Sequence, residues 1–363
     1  MMSKFRTVLG ASLAALGLLP IAALAASDTL LIDSIDVEGG AATLYITPEG
    51  QSLLIDTGWP ANVGAKDPDS VQRIVAAARK HGLSKLDYVL ITHYHVDHIG
   101  SVTELLGQFP VGTLLDHGPN RETPAPNAPA AFAAFQPANL YPKYLEALHG
   151  HAHRALKAGD TLNIGSLHLT VVTSDGTAIS KPLPGAASGA LAECDTMKPM
   201  AEDGGEENAR SVGVVFTFGR ARVAALGDLT WNVEKALVCP RDKIGPVDLL
   251  LVSHHGAHFS NSPALLHALS PRVAIMNNGA KKGGEPQSYE SVSRSPRLAR
   301  LWQLHFAEGS GADHNTAEAY IANPSATDDK RASLEAVVTK EGAITVTNGR
   351  TGFKEDYPPA PRR

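Results

Sequence analysis

Thr92-His93-Tyr94-His95-Val96-Asp97-His98-Ile99-Gly100 is the stretch that decides how this chain reads. Three imidazoles and one carboxylate, His93, His95, His98 and Asp97, fall within six residues. The apolar run 86–92 ahead of them predicts a short buried strand, and the pattern over 98–109 predicts helix. The four groups therefore stand at a strand-to-helix corner, where they can converge with little conformational search. Nitrogen and carboxylate donors together suit borderline divalent ions such as zinc, manganese or iron.

One loop cannot close two metal shells, so further donors are expected at other strand ends. Gly227-Asp228 follows the apolar run 223–226, and Ser253-His254-His255-Gly256 follows 247–252. The two oxygens of Asp228 suit a bridge between ions about 4 Å apart. The same grammar runs through the chain. Strand-like runs at 29–37, 42–46 and 53–55 flank the turn Pro48-Glu49-Gly50-Gln51, and 70–80 carries Val71, Ile74, Val75 and Ala78 at helical spacing. Residues 162–173 read as one strand, 212–218 and 223–226 as a hairpin across Gly219-Arg220, and 272–276 as another strand. Ser262-Pro263 reads as a helix start. The hairpin 334–338 with 344–346 is expected to close the chain. Between them, about 118–207 reads as an insertion rich in Pro, Ala and Gly, with its clearest helix at 144–153. Alternating strands and helices in both halves predict an α/β fold of two sheets with helices outside, in four layers. Polar clusters at the strands' carboxyl ends are where such sheets bind ligands.

These motifs resemble those of the metallo-β-lactamase superfamily, and within it the branch of the extracellular domain of the competence protein ComEC and choline-phosphate esterases. Asp56-Thr57-Gly58 resembles the first motif, His93 to His98 the second, Leu226-Gly227-Asp228 the bridging one, and Ser253-His254-His255-Gly256 the closing one. The resemblance implies the four-layered αβ/βα metallo-β-lactamase sandwich and a two-metal hydrolase, zinc first among the ions. It implies one metal on His93, His95 and Asp228, and the other on Asp97, His98, Asp228 and His255, with Asp56 fixing the loop by hydrogen bonds. A metal-bridging hydroxide would attack, Asp97 would orient the water, and His254 would contact substrate or protonate the leaving group. The family's usual third-motif histidine is missing; Asp175 or His117 replaces it, or neither does and one metal binds weakly or keeps an open position.

Composition frames the function. Lys4 and Arg6, the apolar run 8–24 and Ala23-Leu24-Ala25 read as a cleaved export signal over 1–25, leaving 26–363 as one domain that is periplasmic or secreted. The net charge of −5 becomes −7 without the signal, with 30 basic against 37 acidic residues. That balance disfavours extended nucleic-acid binding, which leaves a basic footprint. It leaves room for a small-molecule substrate such as a phosphate ester. Cys194 and Cys239 are either a disulfide, which an exported setting permits, or two separate thiols.

The expected activity is hydrolysis of phosphate esters or phosphodiesters. A β-lactamase or lactonase is the alternative within the enzymes, and a non-catalytic binding module the alternative outside them. Softer features are the run 277–284, Asn-Asn-Gly-Ala-Lys-Lys-Gly-Gly, which reads as an anion-binding loop or a solvated turn, and Trp59 and Trp231, expected in the core. Arg121 and His258 stand close to the motifs, and His149, His151 and His153 read as surface residues.

Overall fold

The computed structural model describes residues 28–61, 69–124, 129–187, 189–201, 205–325 and 330–361. The expected export segment 1–25 lies outside them. Strands β1 (Thr29–Ser34), β2 (Thr43–Ile46), β3 (Ser52–Ile55), β4 (Leu86–Leu90), β5 (Val111–Asp116) and β6 (Ala152–Ala155) run through the first half. β7 (Thr161–Ile164), β8 (Leu167–Ser174), β9 (Thr177–Ala178), β10 (Gly213–Phe218) and β11 (Ala221–Ala225) follow, then β12 (Leu249–Leu251), β13 (Val273–Met276), β14 (Arg300–His305) and β15 (Ile321–Asn323). The chain returns as β16 (Leu334–Thr339), β17 (Ile344–Asn348) and β18 (Lys354–Tyr357).

Two sheets result. One has the order β18-β17-β16-β1-β2-β3-β4-β5-β6, the other β15-β14-β13-β12-β11-β10-β8-β7 with β9 beside β8. Within each, a parallel run (β3 to β6, and β11 to β15) sends its carboxyl ends to one rim. Alternation of apolar residues sorts the interior into three spaces. Leu30, Ile32, Tyr45, Phe216, Trp302 and Leu304 fill the gap between the sheets, with the rings of Tyr45 and Phe216 at 4.7 Å. The outer face of the first sheet is covered by helices Ser70–Lys80, Val102–Gln108 and Pro137–Ala147. Trp231–Val238, Pro263–Leu269 and Pro286–Ser293 cover the second. Three apolar spaces between four layers are the sandwich that the sequence implies.

Helix Ser70–Lys80 buries Val71, Ile74, Val75 and Ala78, the face read from the spacing. Ser262 caps its helix as expected, its hydroxyl accepting from the Leu265 N–H at 3.3 Å. Other expectations need correction. Residues 162–173 form two antiparallel strands, not one, because Gly165 turns left-handed (φ +53) and the Ser166 N–H donates to Glu49 Oε2 at 3.1 Å. The helix expected at 144–153 is Pro137–Ala147, and the chain turns at Gly150 (φ +87) into β6. The helical pattern of 98–109 breaks at Gly100-Ser101 into Val96–Ile99 and Val102–Gln108. β18 pairs with β17 beyond the hairpin expected to close the chain. The stretch 118–207 contributes β6, β7 and β8 to the sheets, so it is not wholly an addition to the framework. Cys194 and Cys239 are joined by a disulfide beside the second sheet's helices.

Candidate metal centre

Five strand ends meet on one rim. Asp56 follows β3, His93 to His98 follow β4, Asp228 follows β11, His254 and His255 follow β12, and Asn277 follows β13. Asp97, His98, Asp228 and His255 are all buried, and one donor atom from each lies within 4.8 Å of the others. His98 Nε2 stands 3.2 Å from Asp228 Oδ2 and 3.4 Å from Asp97 Oδ2. His255 Nε2 stands 3.1 Å from Asp97 Oδ2 and 3.6 Å from Asp228 Oδ2. Beside this group His93 Nε2 faces His95 Nδ1 at 3.1 Å and Asp228 Oδ2 at 4.0 Å. The carboxylate of Asp228 thus stands between the two groups of imidazoles.

Each imidazole has an oxygen behind it. His98 Nδ1 meets Asp56 Oδ2 at 2.8 Å, His255 Nδ1 the Asn277 carbonyl at 2.9 Å, and His93 Nδ1 the Thr92 hydroxyl at 3.1 Å. His254 Nδ1 meets Ser260 Oγ at 3.1 Å, and His95 Nε2 meets Glu122 Oε2 at 3.4 Å. The Ser260 hydroxyl donates to the Leu229 carbonyl at 2.7 Å, which leaves its oxygen to accept from His254. An N–H directed outwards to oxygen leaves the other nitrogen's lone pair directed inwards, the arrangement that orients metal-binding histidines. The Nε2 atoms of His98 and His255 face each other at 3.2 Å. A cation between them would satisfy both lone pairs, so these residues fit divalent metals.

The backbone is shaped for this convergence. Asp56 (φ +61) accepts from the Thr92 N–H at 2.7 Å and the Thr92 hydroxyl at 2.8 Å, which ties the β3 end to the β4 end. The Thr57 N–H donates to the His98 carbonyl at 2.7 Å. His254 (φ +53) and His255 (φ +52) are both left-handed, a conformation costing about 1–2 kcal/mol for each residue with a Cβ. Neighbours hold them there. Asn261 accepts from the Ser253 N–H at 3.1 Å and donates to the Ser253 carbonyl at 2.9 Å, while the Gly284 N–H donates to the His255 carbonyl at 2.8 Å. The Glu234 carboxyl accepts from the Asn261 and Ser262 N–H groups at 2.7 and 2.8 Å.

Charges are strongly coupled. Burial disfavours imidazolium at His98, yet Asp228 and Asp56 outweigh burial and push the group up to about 10. Burial dominates at three imidazoles, holding His93 and His255 below their ordinary value and His254 down to about 4. The buried Asp228 carboxyl would rise by desolvation, but His98, His254 and His255 hold it well below the usual range.

Of the six expected ligands, Asp97, His98, Asp228 and His255 come together, and His93 and His95 form a pair beside them that reaches Asp228 through His93. His254 also faces the centre, its Nε2 3.4 Å from Asp228 Oδ2 and 3.4 Å from the Asn208 side-chain nitrogen. Neither candidate for the missing third histidine joins them. His117 Nε2 is engaged with the buried Glu207 at 2.7 Å, and Asp175 pairs with Arg210 at 2.5 Å and Arg121 at 3.4 Å. Trp59 and Trp231 are half-buried rather than core residues; their ring nitrogens donate to the carbonyls of Glu38 and Lys198. His258 contacts Glu285 instead of the centre. His149 and His153 are exposed and His151 half-buried. Sequence reasoning placed Lys282 in a lysine-bearing loop but missed the contact of its ammonium with Asp97 Oδ2, and it missed the supports Glu122 and Ser260. The lysine pair at 281–282 was the available signal for the first; nothing local marks the other two.

Known proteins resemble this chain in sequence and in fold. The description of the metallo-beta-lactamase superfamily matches residues 36–276. Hydroxyacylglutathione hydrolase of Aliivibrio salmonicida is 52% identical over 44 residues, 12% of this chain and 17% of that protein. ComE operon protein 3 of Bacillus subtilis is 25% identical over 261 residues, 68% of this chain and 28% of that protein. The chain therefore spans about a sixth of the first relative's length and little over a quarter of the second's. Among solved structures, the metallo-beta-lactamase fold protein YhfI from Bacillus subtilis superposes with a TM-score of 0.44 at 13% identity, over 76% of this chain and 95% of that one.

Proposed function

The chain belongs to the metallo-β-lactamase superfamily of metal-dependent hydrolases, and on that premise we propose that it hydrolyses phosphate esters, phosphodiesters in particular, with two divalent ions, zinc first among them. The observation that carries the reading is the place of Asp228, buried between the His93–His95 pair and the Asp97, His98 and His255 group. His93, His95 and Asp228 would hold one ion; Asp97, His98, Asp228 and His255 would hold the other. Bound ions supply Lewis acidity towards the scissile group and lower the pKa of water, and a pair of them suits in-line displacement at phosphorus. Asp56 keeps the His98 ring in its donor orientation. His254 Nδ1 is held by Ser260 and its Nε2 faces Asp228, so it would contact substrate or exchange a proton with the leaving group. A donor set this complete supports turnover over a non-catalytic binding module.

The setting we propose is periplasmic or secreted. The signal-like segment 1–25 and the Cys194–Cys239 disulfide support it, since such bonds persist in oxidising compartments. A small-molecule substrate agrees with the acidic net charge of −5.

The test is turnover of bis(p-nitrophenyl) phosphate by the mature protein loaded with zinc or manganese, with Asp228→Ala as control. We expect metal-dependent hydrolysis in the parent, and loss of both metal and activity in the variant. Hydrolysis of lactams or lactones with none of the diester moves the assignment to C–N or C–O bonds. Undiminished diester turnover by Asp228→Ala overturns the two-metal mechanism.

A further inference from the structure

Lys282 stands on the loop between β13 and helix Pro286–Ser293, far in sequence from every metal motif but the last. Its ammonium contacts Asp97 Oδ2, a carboxylate oxygen that also faces His98 and His255. The side chain is 36% exposed, so it reaches from solvent into a buried group. The loop delivering it is fixed on both sides. The Gly279 N–H donates to the Lys282 carbonyl at 2.9 Å, and the Gly284 N–H to the His255 carbonyl at 2.8 Å. A Cβ on Gly283 would stand 2.1 Å from the His255 carbonyl oxygen, and one on Gly279 2.9 Å from Gly39 Cα. The root of Lys282 is thus tied to the metal-ligand loop itself. The Trp59 ring lies 5.0 Å from the ammonium and offers it a second resting face through cation–π attraction.

We propose that Lys282 is the oxyanion receptor of this site, a lysine that neutralises Asp97 in the metal-free protein and binds an anionic phosphoryl oxygen of the substrate once a metal has taken Asp97. A divalent cation and an ammonium on one carboxylate oxygen repel each other, so loading turns the ammonium away. Its anchored loop would keep it at the rim of the site, near Asp97. The ammonium carries a positive charge, three N–H donors and no acceptor, which suits it to an anionic oxygen. Phosphodiesters carry one negative charge on their non-bridging oxygens, next to the phosphorus under attack. The inference rests on the phosphate-ester reading for its substrate class, and on geometry alone for its place.

Two binding measurements on the full-length mature protein test it. In the first, zinc is titrated into metal-free parent and Lys282→Ala. We expect tighter zinc binding in the variant, because a competing cation has gone. In the second, inorganic phosphate is titrated into the zinc-loaded proteins. We expect the variant to bind phosphate about tenfold to a hundredfold more weakly, the scale of one charge-assisted hydrogen bond, and Lys282→Arg to retain most of the affinity. A merely structural lysine would weaken zinc binding when removed, and that result overturns the proposal. Unchanged phosphate affinity also overturns it, as does a Lys282 dependence seen with acetate but not phosphate. The phosphodiesterase reading fails separately: a parent that turns over no diester, yet binds phosphate through Lys282, leaves this receptor in place.

Discussion

Asp56 shows how much a single carboxylate can organise here. It takes a backbone N–H and a hydroxyl from Thr92 and the Nδ1 of His98. Asp56→Ala leaves those buried groups without their acceptor, at about 1–3 kcal/mol for each orphaned donor. Urea unfolding of the metal-free protein should show the loss, and zinc titration should show weaker binding by about tenfold to a hundredfold. Zinc affinity equal to the parent's would refute the orienting role. The ligands themselves were legible because His93, His95, Asp97 and His98 are neighbours in sequence, and Asp228 and His255 end apolar runs. Lys282 was legible only as a member of a lysine-bearing loop. Its contact with Asp97 spans 185 residues, and nothing in either segment announces the other. Asp175 and His117 misled because a lone polar residue after a strand gives no hint of which neighbour it will engage.

The loop that carries the paired histidines is an element held by others, and two substitutions probe it. Gly283→Ala pushes a Cβ into the His255 carbonyl at φ +72, whereas Gly82→Ala meets no atom within 4 Å at φ +78. The second isolates the backbone cost, about 1–2 kcal/mol. We expect the first to lower the melting temperature further and to weaken metal binding, which Gly82→Ala leaves alone; equal effects would show that the contact is slack. Glu234 supports the same loop through Asn261, and burial pushes its carboxyl up from 4.5 to about 7 despite two backbone hydrogen bonds. A raised folded value means that its contribution is complete below pH 4.5 and lost as pH rises through about 7. Between pH 5 and 8 the parent should therefore lose stability relative to Glu234→Gln; parallel curves in chemical denaturation would disprove the shift. Helix Ser70–Lys80 was legible because one apolar face carries it. β14 was not, since its buried Gln303 and His305 disguise a core strand, and β6 was not, since all four of its residues are exposed.

For the whole molecule, the alternation of strands and helices was enough to give four layers, while the order of strands in each sheet depended on long-range pairing that no local pattern encodes. β16 lies beside β1 only because the last strands return to the first sheet. The disulfide acts at this scale too, joining residues 45 apart in sequence across the helical layer. Replacing both cysteines by serine should cost about 4 kcal/mol on the loop-entropy scale, read as a lower urea midpoint. A midpoint equal to the parent's would mean that the layer holds the segment without the bond. The division of the ligands between the two halves has one more consequence, and it concerns time. A growing chain presents His93 to His98 about 130 residues before Asp228, roughly ten seconds of synthesis. Through that interval the early donors stand without Asp228, the carboxylate proposed to bridge the ions. On the two-metal reading proposed above, the shared carboxylate becomes available only once the strands of the second sheet have been made, so the complete donor set is a late product of folding.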